Sequence, residues 1–251
     1  MQEQIEGQLI PWLMTAKSGV AFTGAGVSTE SGIPDFRSPG GVWAKSQPVM
    51  YQEFLESPEA RLEYWRQKAE SHAGMFEAQP NVTHRALARW EELGLMRGVI
   101  TQNIDELHKR AGSGNVMELH GTAMKIGCLS CDFRTDADPL VREFQRMQIV
   151  PPCPECGGFL KHATVSFGQV LPADVLQTAV KWAQEADLFL TLGSSLVVYP
   201  AAQLPQIAKR RGARLVIINR DPTPLDGIAD LVINAPLGEV IEAIESGLYS
   251  N

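Results

Sequence analysis

Short, almost continuous apolar runs alternate with segments of helical spacing along most of this chain, and no other feature restricts its fold as strongly. Apolar strands of this kind, separated by amphipathic helices, indicate a parallel β-sheet with helices on both faces. The runs that predict strands are 20–23, 99–101, 116–120, 188–192, 215–218 and 231–233. The segments that predict helices are 1–17, 83–93, 173–185, 201–211 and 237–245. We therefore expect an α/β protein with a Rossmann-like parallel sheet.

Single residues set the limits of two of these helices. Pro11 starts a new turn or kinks the N-terminal helix, because proline lacks an N–H group, and Gly19 ends that helix. Thr83 is the predicted N-cap of the next helix, because its hydroxyl can accept a hydrogen bond from the first turn.

Two segments interrupt the alternation. Residues 38–78 carry aromatic and charged residues but no strand run, and they predict short helices. Residues 122–162 contain every cysteine of the chain. We expect these two segments to form a smaller module, and residues 1–37, 79–121 and 163–251 to form the large domain.

The cysteines predict a metal site. Cys128, Cys131, Cys153 and Cys156 form two C-x2-C pairs separated by 21 residues. Two disulfides are the alternative, but nothing else in the sequence indicates secretion. Paired C-x2-C knuckles are typical of a structural Zn²⁺ bound by thiolates, one ion per chain, and four cysteine ligands leave no open position for chemistry.

Composition limits the possible partners. The 251-residue chain has a net charge of −7, which argues against a general nucleic-acid surface. Its apolar runs fall short of the roughly 18 residues that a membrane span needs. The N-terminal stretch also lacks the features of a secretory signal. We expect a cytoplasmic protein with no membrane or direct nucleic-acid partner; a monomer is compatible with the sequence, which leaves the oligomeric state open.

The stretch GAGVSTESGIPDFR, residues 24–37, follows the first predicted strand. Gly24 and Gly26 would let the backbone approach a pyrophosphate at a helix N-terminus. Thr29, however, occupies the position of the third glycine of the dinucleotide-binding fingerprint. By itself the loop predicts either a dinucleotide site or a tight structural turn.

Polar residues follow several other predicted strands. The carboxyl ends of parallel strands face a common ligand crevice, so these side chains should converge there. His120 is the histidine best placed to act as a general base at this edge, because imidazole titrates near neutrality. The residues concerned are Gln102, Asn103, Asp105, His120, Gly193, Ser194, Ser195 and Asn219.

Taken together, the motifs resemble the sirtuins, the NAD-dependent protein-lysine deacylases, in their bacterial or archaeal form with only the catalytic core. The resemblance covers GAGVSTESGIPDFR, TQNIDELHKRAG, ELHG, the cysteine pairs, Phe167-Gly168 and GSSLVVYP, as well as Thr223, Pro224 and Asp226. It implies that NAD is consumed as a co-substrate. Nicotinamide leaves, the acyl group passes from lysine to ADP-ribose, and free lysine is released.

The resemblance also implies roles for individual residues. His120 would be the general base, Asp105 would take the nicotinamide carboxamide, Asn103 would lie beside the ribose, and Gln102 would orient the ribose and His120. The NAD contacts implied are Gly24, Ala25, Gly26, Ile33, Asp35, Phe36, Arg37, Gln102, Asn103, Ile104, Asp105, Gly193, Ser194, Ser195 and Asn219.

An acylated-lysine peptide is the implied partner. Gly168 and Gln169 on one side, and Val197 and Val198 on the other, would pair with its main chain, while Val165 and Phe167 line the acyl-lysine tunnel. The chain departs from the family here. Where the family has a Pro–x–Val–Val–aromatic–Phe–Gly–Glu run, this chain has HATVSFGQ, with His162 for the proline and Gln169 for the acid.

The acyl group is also predicted from the resemblance. Sirtuins that prefer succinyl- or malonyl-lysine carry a tyrosine and an arginine three residues apart, and we align Trp65 and Lys68 with these positions. Neither supplies a planar fork for a carboxylate, so we expect neutral acyl groups to be preferred, acetyl first. A shift of one position would instead bring Tyr64 into the site.

Other functions use parts of the same pattern. An NAD glycohydrolase or a mono-ADP-ribosyltransferase would break the same bond with a different nucleophile, but the peptide-binding motifs favour deacylation. A zinc-ribbon regulator that senses NAD without turnover would not need His120 and Asp105 in the crevice. An NAD-dependent dehydrogenase is disfavoured by the incomplete glycine fingerprint.

Overall fold

The large domain is built on a six-stranded, fully parallel sheet. The computed structural model describes residues 1–35, 41 and 47–249. The strands of this sheet are β1 Gly19–Thr23, β2 Gly98–Thr101, β3 Val116–Glu118, β7 Leu188–Leu192, β8 Arg214–Ile218 and β9 Leu231–Ile233. They lie in the order β3-β2-β1-β7-β8-β9, which is the Rossmann order, and the strand sequence reverses between β1 and β7. The predicted fold class is confirmed.

Helices cover both faces of this sheet. One buried cluster includes Val99, Leu190 and Val216, and the opposite one includes Phe22 and Phe189. The described helices are α1 Gln2–Gln4, α2 Ile10–Thr15, α3 Tyr51–Glu56, α4 Pro58–Glu77, α5 Val82–Glu92, α6 Leu107–Arg110, α7 Ala137–Met147, α8 Ala173–Glu185, α9 Gln203–Arg210 and α10 Leu237–Tyr249. A π-helical turn spans Ile5–Leu9, and 3-10 helices span Ala25–Ser31 and Asp226–Ile228. Within the described ranges, no helix combines the length and apolarity needed to cross a membrane.

A second, antiparallel sheet belongs to the small module. Its strands are β4 Gly121–Cys128, β5 Arg134–Asp136 and β6 Leu160–Thr164, and they lie in the order β5-β4-β6. Phe54, Trp65, Ile126 and Phe144 belong to one buried cluster, so α3, α4 and α7 share a core with this sheet. Through α4, the small module lines the cleft described below together with the strand ends of the large domain.

Several local predictions need correction. Asn81, not Thr83, caps α5, because its Oδ1 accepts from the N–H groups of Thr83 at 3.0 Å and His84 at 3.3 Å. The expected short helices of 38–78 include α4, which is 20 residues long. The strand predicted over 116–120 ends at Glu118, so His120 lies in the turn that follows. The N-terminal helices end at Thr15, and Gly19 begins β1.

Candidate active site

A cleft of about 1400 Å³ opens where the carboxyl ends of β1, β2, β7 and β8 meet the small module. Ligands of open α/β sheets bind at this edge, at the point where the strand order reverses. Segments that follow all six parallel strands, together with residues of α4 and the residues after β6, line the cleft.

The cleft brings together most of the residues predicted from the sequence. Of the predicted NAD, peptide and acyl contacts within the described ranges, Val197 and Trp65 do not line it. Phe36 and Arg37 lie outside the described residues. The predicted residues that line the cleft are Gly24, Ala25, Gly26, Ile33, Asp35, Gln102, Asn103, Ile104, Asp105, His120, Val165, Phe167, Gly168, Gln169, Gly193, Ser194, Ser195, Val198 and Asn219.

The structure gives a second reason for the glycines after β1. A Cβ atom on Gly24 would lie 2.7 Å from the carbonyl oxygen of Gly193, and one on Gly26 would lie 2.8 Å from the same atom. The Gly24 N–H donates to Leu192 and the Gly26 N–H donates to Gly193. These two amides are thus engaged within the protein. Glycine is needed here for the close approach of two loops, whereas the sequence suggested close approach to a phosphate.

His120 has one ring nitrogen fixed by the main chain. Its Nδ1 lies 3.0 Å from the carbonyl oxygen of Gln102. A carbonyl oxygen can only accept, so Nδ1 carries the proton and Nε2 keeps its lone pair. Burial lowers the pKa of His120, and the bond to Gln102 offsets part of this effect. The result is a neutral imidazole with a free basic nitrogen in a residue that lines the cleft.

Gln102 acts on His120 through its backbone. Its side-chain Nε2 donates instead to the Ser194 hydroxyl at 2.9 Å. Gln102 therefore joins the strand ends of β2 and β7 with its side chain and orients the imidazole with its carbonyl group. The sequence predicted contact with His120 but not which group makes it.

Ser28 connects two of the predicted polar residues, and sequence reasoning missed it. Its hydroxyl donates to Asp105 Oδ2 at 2.6 Å and accepts from Asn103 Nδ2 at 3.0 Å. The other Asp105 oxygen accepts from the Leu107 N–H at 2.9 Å. Burial raises the pKa of Asp105, while these hydrogen bonds work in the opposite direction. The three polar side chains form one buried network.

A second hydrogen-bond network joins the carboxyl ends of β1 and β2. The Thr23 hydroxyl donates to Thr101 Oγ1 at 2.8 Å, and His108 Nε2 lies 3.0 Å from the same Thr23 oxygen. Thr101 Oγ1 in turn accepts from the Asn103 N–H at 3.0 Å. The rings of His108 and His84 lie 4.7 Å apart, and both residues are buried. His84 lies in α5 and His108 in α6, and neither lines the cleft.

The segment after β6 also lines the cleft. The Gln169 N–H donates to the Ser166 carbonyl at 3.0 Å, and Gly168 has φ +83°. Glycine suits the third position of such a turn because that position needs a positive φ. The Val165 N–H donates to the His120 carbonyl at 2.9 Å. The turn is thereby joined directly to the histidine.

Trp65, which the sequence aligned with the acyl-binding tyrosine of succinyl- and malonyl-specific relatives, does not line the cleft. Trp65 is fully buried in the small module, and its Nε1 donates to the Leu160 carbonyl at 3.1 Å. Tyr64 and Lys68 line the cleft instead. Burial lowers the pKa of Lys68, whose ammonium group lies 5.5 Å from the centre of the Tyr64 ring.

The four cysteines are positioned to bind one zinc ion. Their sulfur atoms all lie within 4.8 Å of one another. Cys128 and Cys156 are separated by 3.5 Å between Sγ atoms, and Cys131 and Cys153 by 3.6 Å. Tetrahedral coordination with bonds of about 2.3 Å requires separations of about 3.8 Å. All four cysteines are free thiols, so their arrangement fits a Zn²⁺ site rather than two disulfides.

Comparison with known proteins agrees with this geometry. The NAD-dependent protein deacetylase of Rhodopseudomonas palustris is 48% identical over 236 residues, covering 93% of each chain. A solved structure of a Sir2 protein with a p53 peptide and NAD+ has a TM-score of 0.88 at 39% identity, covering 95% of this chain and 96% of that one. A Sir2 complex with 2′-O-acetyl-ADP-ribose and deacetylated p53 peptide has a TM-score of 0.85 at 39% identity, covering 96% and 99%. The family match extends over residues 24–200, and the chain belongs to the Sir2 family.

Proposed function

We propose that this protein is an NAD-dependent protein-lysine deacetylase, an enzyme that transfers the acyl group of a modified lysine to ADP-ribose and releases nicotinamide. The observation that carries the proposal is the state of His120: a neutral imidazole, with Nε2 free, in a residue that lines the cleft where a dinucleotide would bind. The related Sir2 protein with bound 2′-O-acetyl-ADP-ribose supports the same reaction.

His120 acts as the general base. NAD supplies the ribose whose bond to nicotinamide is broken, and Nε2 takes a proton from a ribose hydroxyl. A positioned base of this kind contributes about 10²–10⁴-fold to the rate. Because the Gln102 carbonyl holds Nδ1–H, the ring need not reorient before the proton moves.

The Ser28–Asn103–Asp105 network holds the nicotinamide end of NAD. Asp105 takes the carboxamide, and Asn103 lies beside the ribose. Burial of the network excludes water, which would otherwise hydrolyse NAD without deacylation. Glycine-rich loops after β1 and β7, with Ser194, Ser195 and Asn219, contact the remainder of NAD.

The substrate peptide lies between the turn at 166–169 and the loop at 197–198. Each side offers main-chain groups to an extended chain, and added main-chain pairing is a common mode of peptide recognition. Both segments belong to residues 163–251 of the large domain, and the small module borders the same cleft through α4. Phe167 is 41% exposed and Val197 is 44% exposed, which leaves apolar surface for the peptide.

The zinc ion is structural, because the four thiolates complete its coordination. It stabilises the turns that precede β5 and β6, and so the small module that carries α4. We also propose a cytoplasmic location, which is supported by four thiols that must stay reduced to bind metal.

Acetyl-lysine is the preferred acyl substrate. Tyr64 and Lys68 face the cleft, but an ammonium group on a flexible stem does not grip a carboxylate with two bonds as a guanidinium does. Lys68→Arg should therefore raise the ratio of succinyl to acetyl kcat/KM, whereas Lys125→Arg, on the exposed side of β4, should not. A wild-type enzyme that uses succinyl-lysine as well as acetyl-lysine would refute this preference.

Mass spectrometry tests the proposal as a whole. The purified protein is incubated with NAD and an acetyl-lysine peptide, and both the peptide and the nucleotide product are identified. We expect free-lysine peptide together with O-acetyl-ADP-ribose. Free ADP-ribose with an unchanged peptide would instead identify an NAD glycohydrolase, and ADP-ribosylated protein would identify a mono-ADP-ribosyltransferase.

A further inference from the structure

Lys161, in β6, is a buried lysine whose ammonium group is satisfied by carbonyl oxygens. The residue is 3% exposed. Its Nζ donates to the carbonyl oxygen of His162 at 3.2 Å and to that of Thr164. A third contact joins Nζ to Gln169 Oε1 at 3.5 Å. Burying a cation costs free energy unless it has hydrogen-bond partners, and these three oxygen atoms supply them for the Lys161 ammonium group.

No carboxylate in the described part of the chain pairs with this ammonium group. The titratable groups that face it are Lys68 and Tyr64 from α4 and His162 on its own strand. Gln169 occupies the position at which a glutamate would pair with it. Burial, and then the positive charge of Lys68, lower the pKa of Lys161 to about 7.

Gln169 also closes the turn that follows β6. Its Oε1 accepts from the Ser166 N–H at 3.1 Å while contacting Lys161 Nζ. Thr164 precedes the segment 165–168 and Gln169 follows it. The residues at both ends of this segment therefore contact Lys161 Nζ. Within the segment, the Val165 N–H donates to the His120 carbonyl, and the Phe167 carbonyl accepts from the Tyr51 N–H.

We propose that Lys161 is a positioning residue whose charged ammonium group, through Thr164 and Gln169, fixes segment 165–168 in the shape that pairs with the substrate peptide. The inference rests on the proposed deacetylase function and extends it to peptide affinity. Deprotonation removes a donor and the charge, which weakens all three contacts. Peptide affinity should therefore fall as pH rises through the range in which Lys161 loses its proton.

Steady-state kinetics of four variants test this. Lys161→Met keeps the length of the side chain but not its charge, and it should raise the peptide KM about tenfold or more, with the NAD KM unchanged. Lys161→Arg should restore most of the peptide affinity. Lys125→Met is the matched control, since Lys125 is an exposed lysine of the same small sheet, and it should leave the peptide KM unchanged.

Gln169→Glu provides a second readout that a purely structural role would not move. A carboxylate beside the ammonium group favours its charged form. The alkaline rise in peptide KM should therefore occur at a higher pH in this variant than in the wild type. If Lys161→Met does not fold, this measurement still tests the role of Lys161 in peptide binding.

The outcomes are distinct. An active Lys161→Met enzyme with an unchanged peptide KM, an equal rise in peptide and NAD KM, or a pH profile that Gln169→Glu does not move would overturn the role of Lys161. A wild-type protein that does not deacetylate the peptide at all would instead overturn the proposed function, and this inference with it.

Discussion

The Nδ1 atom of His120 lies 3.0 Å from the main-chain oxygen of Gln102, and this contact assigns the basic role to Nε2. His120→Ala removes that base. We expect the deacetylation rate to fall by about 10²–10⁴-fold. NAD binding, measured by calorimetry, should change little, because the other residues of the cleft are retained.

His72→Gln is the control for this change, since His72 contacts Asp138 and does not line the cleft. The pH profile gives independent support. Burial lowers the pKa of His120, so the base stays neutral to a lower pH than free imidazole, and kcat/KM should fall only below about pH 6.5. A His120→Ala enzyme with near wild-type turnover would exclude this residue as the base.

Ser28→Ala should impair the use of NAD. The change leaves Asn103 Nδ2 and Asp105 Oδ2 without their shared partner in a buried site. Losing a hydrogen bond to a charged group costs on the order of 1.5–3 kcal/mol, so kcat/KM for NAD should fall by about tenfold or more. Ser31→Ala, in the same 3-10 helix but outside the cleft lining, is the control. Equal kinetics for the two variants would show that Ser28 does not organise the site.

Buried histidines should make the protein less stable in mild acid. Burial, followed by the nearby Arg85 charge, lowers the pKa of His84 to about 4. Between about pH 6.5 and 4 the unfolded chain binds a proton at this residue that the folded chain does not, so the free energy of unfolding falls as pH falls. Complete loss corresponds to about 3 kcal/mol, and burial of His108 acts in the same direction.

Denaturant unfolding at a series of pH values measures this dependence. His84→Gln removes one titrating group and should give a shallower slope between pH 6.5 and 4 than the wild type. If the two slopes coincide, His84 takes up its proton in the folded state at an ordinary pH.

Removing zinc should destabilise the small module. Binding by four thiolates contributes an apparent ~10–16 kcal/mol in small zinc domains. Metal analysis should find about one zinc per chain. A chelator, or Cys153→Ser, should lower the melting temperature and reduce activity indirectly, because α4 shares the core of this module. A metal-free preparation with full stability and activity would contradict the assignment.

The sequence predicted those features that depend on local pattern. The apolar run 188–192 coincides with β7, and the helical spacing of 173–185 coincides with α8. Strand ends then located most of the cleft lining, because parallel strands share one ligand-binding edge. The paired cysteines were likewise recognisable from spacing alone.

Features that depend on contacts distant in sequence were missed or misread. Ser28 bonds to residues 75 and 77 positions away, and no local pattern indicates this. Trp65 was wrongly assigned to the cleft, which its neighbour Tyr64 lines instead. Consecutive residues of a helix point about 100° apart, so an error of one residue selects a different face. Gly24 and Gly26 are required by the backbone of Gly193, which lies 169 and 167 positions further along the chain. Gly193 follows β7, the strand that pairs with β1 in the sheet.

The most direct test of the account is the dependence of nicotinamide release on peptide. The protein is incubated with NAD alone, with NAD and an unmodified lysine peptide, and with NAD and its acetyl-lysine form, and nicotinamide is measured over time. We predict rapid release only with the acetylated peptide, with one nicotinamide formed for each lysine freed. Release at the same rate in all three mixtures would contradict the account.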